Sequence, residues 1–199
     1  MDDNPALKIT KPREPRGRVR FLSDDERERL LRVCSEHRNP MMHPIVVLAL
    51  STGMRQGEIL GLRWGDVDLE RGRIVLHETK NGERRLVPLV GPAKEALAMY
   101  RGEGAKPRAL LFPSTTNDDK PIEIRKAWGT CMTRAQIEDF RFHDLRHSAA
   151  SYLAMSGASL AEIAEVLGHK TLQMVKRYAH LSEAHTASVV ERMNAKFLE

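Results

Sequence analysis

Apolar positions recur with a helical rhythm along most of the chain, and one stretch around Asn81-Gly82 reads as a pair of strands instead. Residues 1–20 show no apolar periodicity. Pro5, Pro12, Pro15 and Gly17 punctuate them, which predicts an extended arm. Ser23, with Glu26 three residues on, forms a capping box that starts a helix over about 24–37. His43-Pro44 opens a second helix through Ala49-Leu50, apolar on nearly all sides and so deeply buried. Gly53 ends it, and a short third helix over 54–62 leads to Trp64-Gly65-Asp66.

The strands fall in 72–80 and 84–89. Asn81-Gly82 between them favours positive φ at both turn positions, which predicts a β-hairpin, with Pro88 at an edge or at the strand's end. Pro92 starts a helix to about Tyr100. Residues 102–121 are mostly loop, and helices follow over about 122–136, 143–156, 159–167, 171–179 and, amphipathic, 182–197. The pattern is a mainly helical chain carrying one hairpin, with no internal repeat.

Composition narrows this picture. With 199 residues, 41% of them apolar and 30% charged, the chain suits one packed domain with a short appendage and rules out wholesale disorder. The longest unbroken apolar run, Ile45 to Leu50, is far below the roughly 20 residues of a membrane span. The acidic Met1-Asp2-Asp3-Asn4 start lacks a secretory pattern, so the expectation is a cytoplasmic protein without membrane contact. Cys34 and Cys131 form neither a C-x-x-C motif nor a disulfide framework.

Placement of charge matters more than its total of +5. Lys8, Lys11, Arg13, Arg16, Arg18 and Arg20 stand against Asp2, Asp3 and Glu14, so the first twenty residues carry +3. The arm is either a solvated tail or a strap over a phosphate backbone, with Lys11, Arg13, Arg16 and Arg18 as candidate DNA contacts.

Candidate chemistry lies in five places. Arg55 and Glu58 share a helical face three residues apart, a surface ion pair in the plain reading. Lys80 projects from the hairpin tip, where most lysines are merely solvated. His143-Asp144-Leu145-Arg146-His147 puts His143 and Arg146 side by side; guanidinium and imidazole together suit an anionic site, and a capped helix start is the alternative. The His-x-x-x-His spacing also resembles the zinc pair of metalloproteases. Asp144 is one methylene short for the usual base, however, and Arg146 sets a cation where the metal belongs, so no metal site is assigned.

Gly168 ends a helix and holds His169 at a corner, and Tyr178 follows beside Lys176 and Arg177. A free phenol is ionised in roughly one molecule in a thousand at pH 7. The neighbouring cations are expected to raise that fraction. Tyr100, Tyr152, Trp64, Trp128 and most of the nine methionines read as packing residues.

Taken together, Thr52-Gly53-Met54-Arg55-Gln56-Gly57-Glu58, a hairpin Lys80, His143-x-x-Arg146, Leu167-Gly168-His169 and Tyr178-x-His180 resemble the catalytic domain of the tyrosine recombinases, the phage integrase family. The likeness covers about residues 20–182. It implies a mainly α fold with a small antiparallel β-sheet (α+β). Residues 1–20 would be a basic interdomain arm, 21–181 the catalytic domain and 182–199 a C-terminal helical tail.

The resemblance also implies the chemistry. Tyr178 would attack a DNA phosphodiester, leaving a 3′-phosphotyrosine and a free 5′ hydroxyl. Arg55 and Arg146 would clamp the non-bridging oxygens, His169 would add a hydrogen bond, Lys80 would protonate the leaving oxygen and His143 would help take up the tyrosine proton. Glu58 would orient Arg55. His147 is a common helper in the family but has no role derivable from the sequence. Neither metal, ATP nor another cofactor is implied. The partners would be double-stranded DNA and synaptic copies of a protein that is monomeric alone, bacterial or phage-encoded.

Family members usually carry a helical DNA-gripping domain before this one, and here the chain starts at what looks like the linker. The final helix would fold back on its own domain or be disordered in isolation. The competing readings are relaxation of DNA in the manner of a type IB topoisomerase, a non-catalytic DNA-binding regulator and, last, the metalloprotease.

Overall fold

A computed structural model describes residues 20–77, 84–102 and 105–198. Its order is α1 (Asp24–Ser35), α2 (Met42–Thr52), α3 (Gln56–Leu60), β1 (Val67–Asp68), β2 (Arg73–Leu76), β3 (Arg85–Pro88), α4 (Gly91–Tyr100), α5 (Arg125–Ala135), α6 (Asp144–Met155), α7 (Leu160–Leu167) and α8 (Glu183–Phe197). The predicted class, mainly α with a small antiparallel sheet, is the class observed.

Local signals place the elements that build the site. Ser23 caps α1 in a capping box with Glu26, as its sequence predicts. α2 is buried on almost every side and stops at Gly53, whose φ of 61° is a left-handed cap that a Cβ would strain. In the sheet, ordered β1-β2-β3, Leu76 pairs with Arg85 and Arg73 with Pro88, which puts the proline on an edge strand. The Asn81-Gly82 turn lies outside the described residues.

Three details depart from the sequence reading. β1 is a two-residue strand held by pairing with β2, too short to leave a sequence pattern. The third helix is only Gln56–Leu60, with Arg55 as its cap. The predicted helix over 171–179 is two 3₁₀ segments, Leu172–Met174 and Lys176–Ser182. The reason is a period of three: Val175 and Tyr178 are buried and Leu181 packs beside them, which stacks side chains on the tighter helix.

The core has two clusters. The larger joins α1, α2, α4, α5 and the sheet through residues such as Leu30, Ile45, Leu48, Ile74 and Phe112. The smaller holds Ala150, Ala154, Ile163, Ala164, Leu167, Val175 and Tyr178. α6 lies between them: Leu145 belongs to the first cluster, and Ala150 and Ala154 to the second. Small residues Ser148, Ala149, Ala150 and Ser151 let both sides approach it closely, and Ser148 Oγ accepts a hydrogen bond from Leu22 N at 3.0 Å. Cys34 and Cys131 are free thiols, both buried.

On α8, the described side chains of Val189, Val190, Met193 and Phe197 are exposed, so these four apolar positions do not pack back onto the domain as expected. No helix among the described residues is long and apolar enough to cross a membrane.

Candidate active site

The cap of α3, the first turn of α6, the turn after α7 and the 3₁₀ segment Lys176–Ser182 converge, and each delivers a side chain, while the end of α2 adds a backbone carbonyl. Arg55 caps α3. Its backbone N–H donates to Glu58 Oε2 at 2.9 Å and its Nη1 to Glu58 Oε1 at 2.7 Å, so the carboxylate fixes both backbone and guanidinium. The i,i+3 pair expected from the sequence is present and half-buried.

Arg146, in the first turn of α6, is only 5% exposed. Its Nη1 donates to Gly53 O at 2.5 Å and its Nη2 to Leu167 O at 2.7 Å. One guanidinium thus bridges the C-terminal ends of α2 and α7, where the helix dipoles are negative. Burial first, then the neighbouring Arg55, pulls its pKa down to about 10, so it stays cationic at neutral pH.

His169 follows Gly168, whose φ is 65°. The turn is a Schellman close, with His169 N–H donating to Ala164 O at 2.8 Å and Gly168 N–H to Glu165 O at 3.0 Å. His169 Nδ1 is buried without a hydrogen-bond partner among the described residues. Burial, then Arg146 and Arg55, pushes its pKa down to about 4.

Tyr178 is 2% exposed, and its hydroxyl lies 2.5 Å from His147 Nδ1. Here the structure corrects an expectation. Burial raises the phenol's pKa, and Arg177 and Arg146 only oppose that rise, so the cations do not make the buried tyrosine readily ionised. It also supplies what the sequence lacked for His147. That ring is half-buried and pushed down to about 4 by burial and then by His143, hence neutral and able to accept at Nδ1. His143, exposed at the start of α6, stands edge-on to His147 with ring centroids 5.4 Å apart.

Sequence reasoning missed Arg85 altogether. It is half-buried on β3, and its Nη2 donates to Glu58 Oε2 at 3.1 Å. A period-2 signal was available: Arg85 shares the inner face of β3 with buried Val87, while Leu86 points out. Lys80, Lys11, Arg13, Arg16 and Arg18 lie outside the described residues. Among the described residues, no group of three or more His, Cys, Asp or Glu is placed to hold a metal ion, the third ligand that the metalloprotease alternative needs.

Comparison with known proteins identifies the family of this small sheet on a helical body. The Phage integrase family profile matches residues 20–185, so the chain belongs to this family. It is 41% identical over 179 residues to a shufflon-specific DNA recombinase of Escherichia coli, covering 89% of this chain and 44% of that protein. It is 33% identical to the integrase of Salmonella phage P22, covering 99% of this chain and 52% of that one. The chain therefore spans about half the length of these relatives. The catalytic domain of bacteriophage HP1 integrase superposes with a TM-score of 0.72 at 30% identity, covering 90% of this chain and 98% of that domain. The XerA recombinase gives 0.72 at 27% identity, covering 94% and 66%.

Proposed function

We propose that this chain is the catalytic domain of a site-specific recombinase that cuts and rejoins double-stranded DNA through a 3′-phosphotyrosine. The observation that carries the reading is the 2.5 Å approach of the Tyr178 hydroxyl to a neutral His147, beside Arg146 and Arg55. Tyr178 Oη attacks phosphorus, the bond to the 5′ oxygen breaks and the phenol proton passes to His147 Nδ1. His143, edge-on to that ring at the site's mouth, assists its onward transfer.

Arg55 and Arg146 neutralise charge on the non-bridging oxygens, and His169 adds a hydrogen bond; preorganised donors of this kind typically account for the largest share of rate acceleration. Lys80, delivered from the hairpin, protonates the leaving oxygen. A second strand's 5′ hydroxyl reverses the step, since the phosphotyrosine conserves the bond energy. Residues 1–20, with Lys11, Arg13, Arg16 and Arg18, strap the DNA backbone, 21–181 form the catalytic unit and 182–199 a tail free to meet a second protomer.

A nicked DNA whose 5′ fragment diffuses away tests this reading, because it traps the covalent intermediate. The wild-type chain is expected to form the adduct and Tyr178→Phe to form none; an adduct that survives the substitution overturns the mechanism.

A further inference from the structure

Arg85 is a half-buried guanidinium that the mechanism above leaves unused. Its side chain is 12% exposed, its Nε and Nη1 have no partner among the described residues, and Glu58 is the acceptor of its remaining donor. Buried unpaired donors are costly and call for an explanation. Two further observations point the same way.

Glu58 Oε2 is shared between Arg85 Nη2 and the Arg55 backbone N–H, while Oε1 holds the Arg55 guanidinium. The carboxylate is therefore clamped from both sides, and Arg85 sets where its second oxygen sits. The Arg85 shaft also lies directly under Gly168: a Cβ there would stand 2.8 Å from Arg85 Cδ and Cζ, so the turn that presents His169 rests on it.

We infer that Arg85 is a further positioning residue of the strand-cleavage site, holding Glu58 and through it Arg55, and flooring the Gly168–His169 turn. The inference rests on the recombinase reading for its catalytic consequence, but the geometry it asserts is independent of that reading. Lysine cannot replace it, because a single ammonium cannot both donate to Glu58, as Nη2 does, and keep a guanidinium plane in the space under Gly168.

The test uses the full chain with Arg85→Lys and Arg85→Met, Arg84→Ala as the exposed control, and Glu58→Gln alone and combined with each Arg85 variant. Adduct formation on the nicked DNA is expected to slow on the order of 10- to 100-fold in Arg85→Lys, as for a misplaced catalytic group. DNA affinity should stay essentially unchanged, and Arg84→Ala should match the wild type. In the Glu58→Gln background the Arg85 substitution should add little, since the two act through one link.

Where Arg85→Met fails to fold, the double variant with Glu58→Gln removes the stranded carboxylate and keeps the comparison. The second readout is the Arg55 Nε–H resonance of the DNA-free protein, expected to be sharp in the wild type and shifted or broadened in Arg85→Lys. An unchanged resonance, an undiminished rate or a loss fully additive with Glu58→Gln overturns the inference. If the wild type forms no adduct, the recombinase reading fails, and the resonance alone still decides what Arg85 holds.

Discussion

The hydroxyl of Tyr178, a member of the smaller core cluster, meets Nδ1 of His147 at 2.5 Å, which pairs a buried phenol with a neutral imidazole. Neutrality is the condition for accepting the phenol proton. With the imidazole's pKa pushed to about 4 by burial and His143, His147 is an acceptor above that value and a donor-only cation below it. The rate of adduct formation should therefore lose this contribution as pH falls through about 4 and be insensitive to it from pH 5 to 8. His147→Ala should slow cleavage roughly 10²- to 10⁴-fold, the range of a removed general base. Single-turnover rates across pH, wild type against variant, check both statements.

Arg146 joins two helix ends as well as facing the proposed phosphate. Truncation to alanine leaves the Gly53 and Leu167 carbonyls without their donor, at about 1–3 kcal/mol for each buried group left unpaired. Arg146→Ala should thus lower the melting temperature and also reduce cleavage by orders of magnitude. Its DNA affinity should change less than when residues 1–20 are removed. Equal losses of affinity would make Arg146 a binding cation only.

Gly168→Ala should destabilise the fold by about 1–3 kcal/mol, because its φ of 65° is strained for an L side chain and the added Cβ meets the Arg85 shaft. For a chain of this size that is roughly 2–4 °C of melting temperature per kcal/mol. Calorimetry gives the number directly, and a neutral result would show that the turn and Arg85 can separate at no cost.

Two buried imidazoles also make stability depend on pH. His147 and His169 titrate near 4 in the folded chain and near about 6.5 when unfolded. Between those values the unfolded state binds more protons, so stability rises with pH across this window and falls as the solution is acidified from about 6.5 toward 4. Melting temperatures from pH 4 to 7 should follow that slope, and His169→Gln should flatten part of it.

DNA binding should weaken steeply with salt, each neutralised phosphate contributing about −0.9 to the log–log slope. Titrations at several salt concentrations, with and without residues 1–20, measure how many phosphates the arm covers. A slope that ignores deletion of the arm would assign its cations to solvent.

Much of the site could be read from local chemistry. The Ser23 capping box, Gly53 and Gly168 at helix ends and the Arg55–Glu58 spacing all act within a few residues, and local rules cover that range. What escaped is non-local. His147 finds its role 31 residues away at Tyr178, and Arg85 finds its carboxylate 27 residues back at Glu58. The 3₁₀ geometry around Tyr178 follows from the burial of Val175 and Tyr178 against α6 and α7, a tertiary demand that outweighs helix propensity. The phenol's raised pKa came out opposite to the sequence reading for the same reason: neighbouring cations are visible in a string of letters, and depth is not.

The bridge that Arg146 makes between Gly53 and Leu167 ties the carbonyl that closes α2, a helix of the larger core cluster, to one from the smaller cluster. Under the proposed mechanism, the guanidinium that meets the phosphate is aimed only while both carbonyls are held. An opening that parts α7 from the end of α2 would therefore disarm the site while leaving the larger core intact.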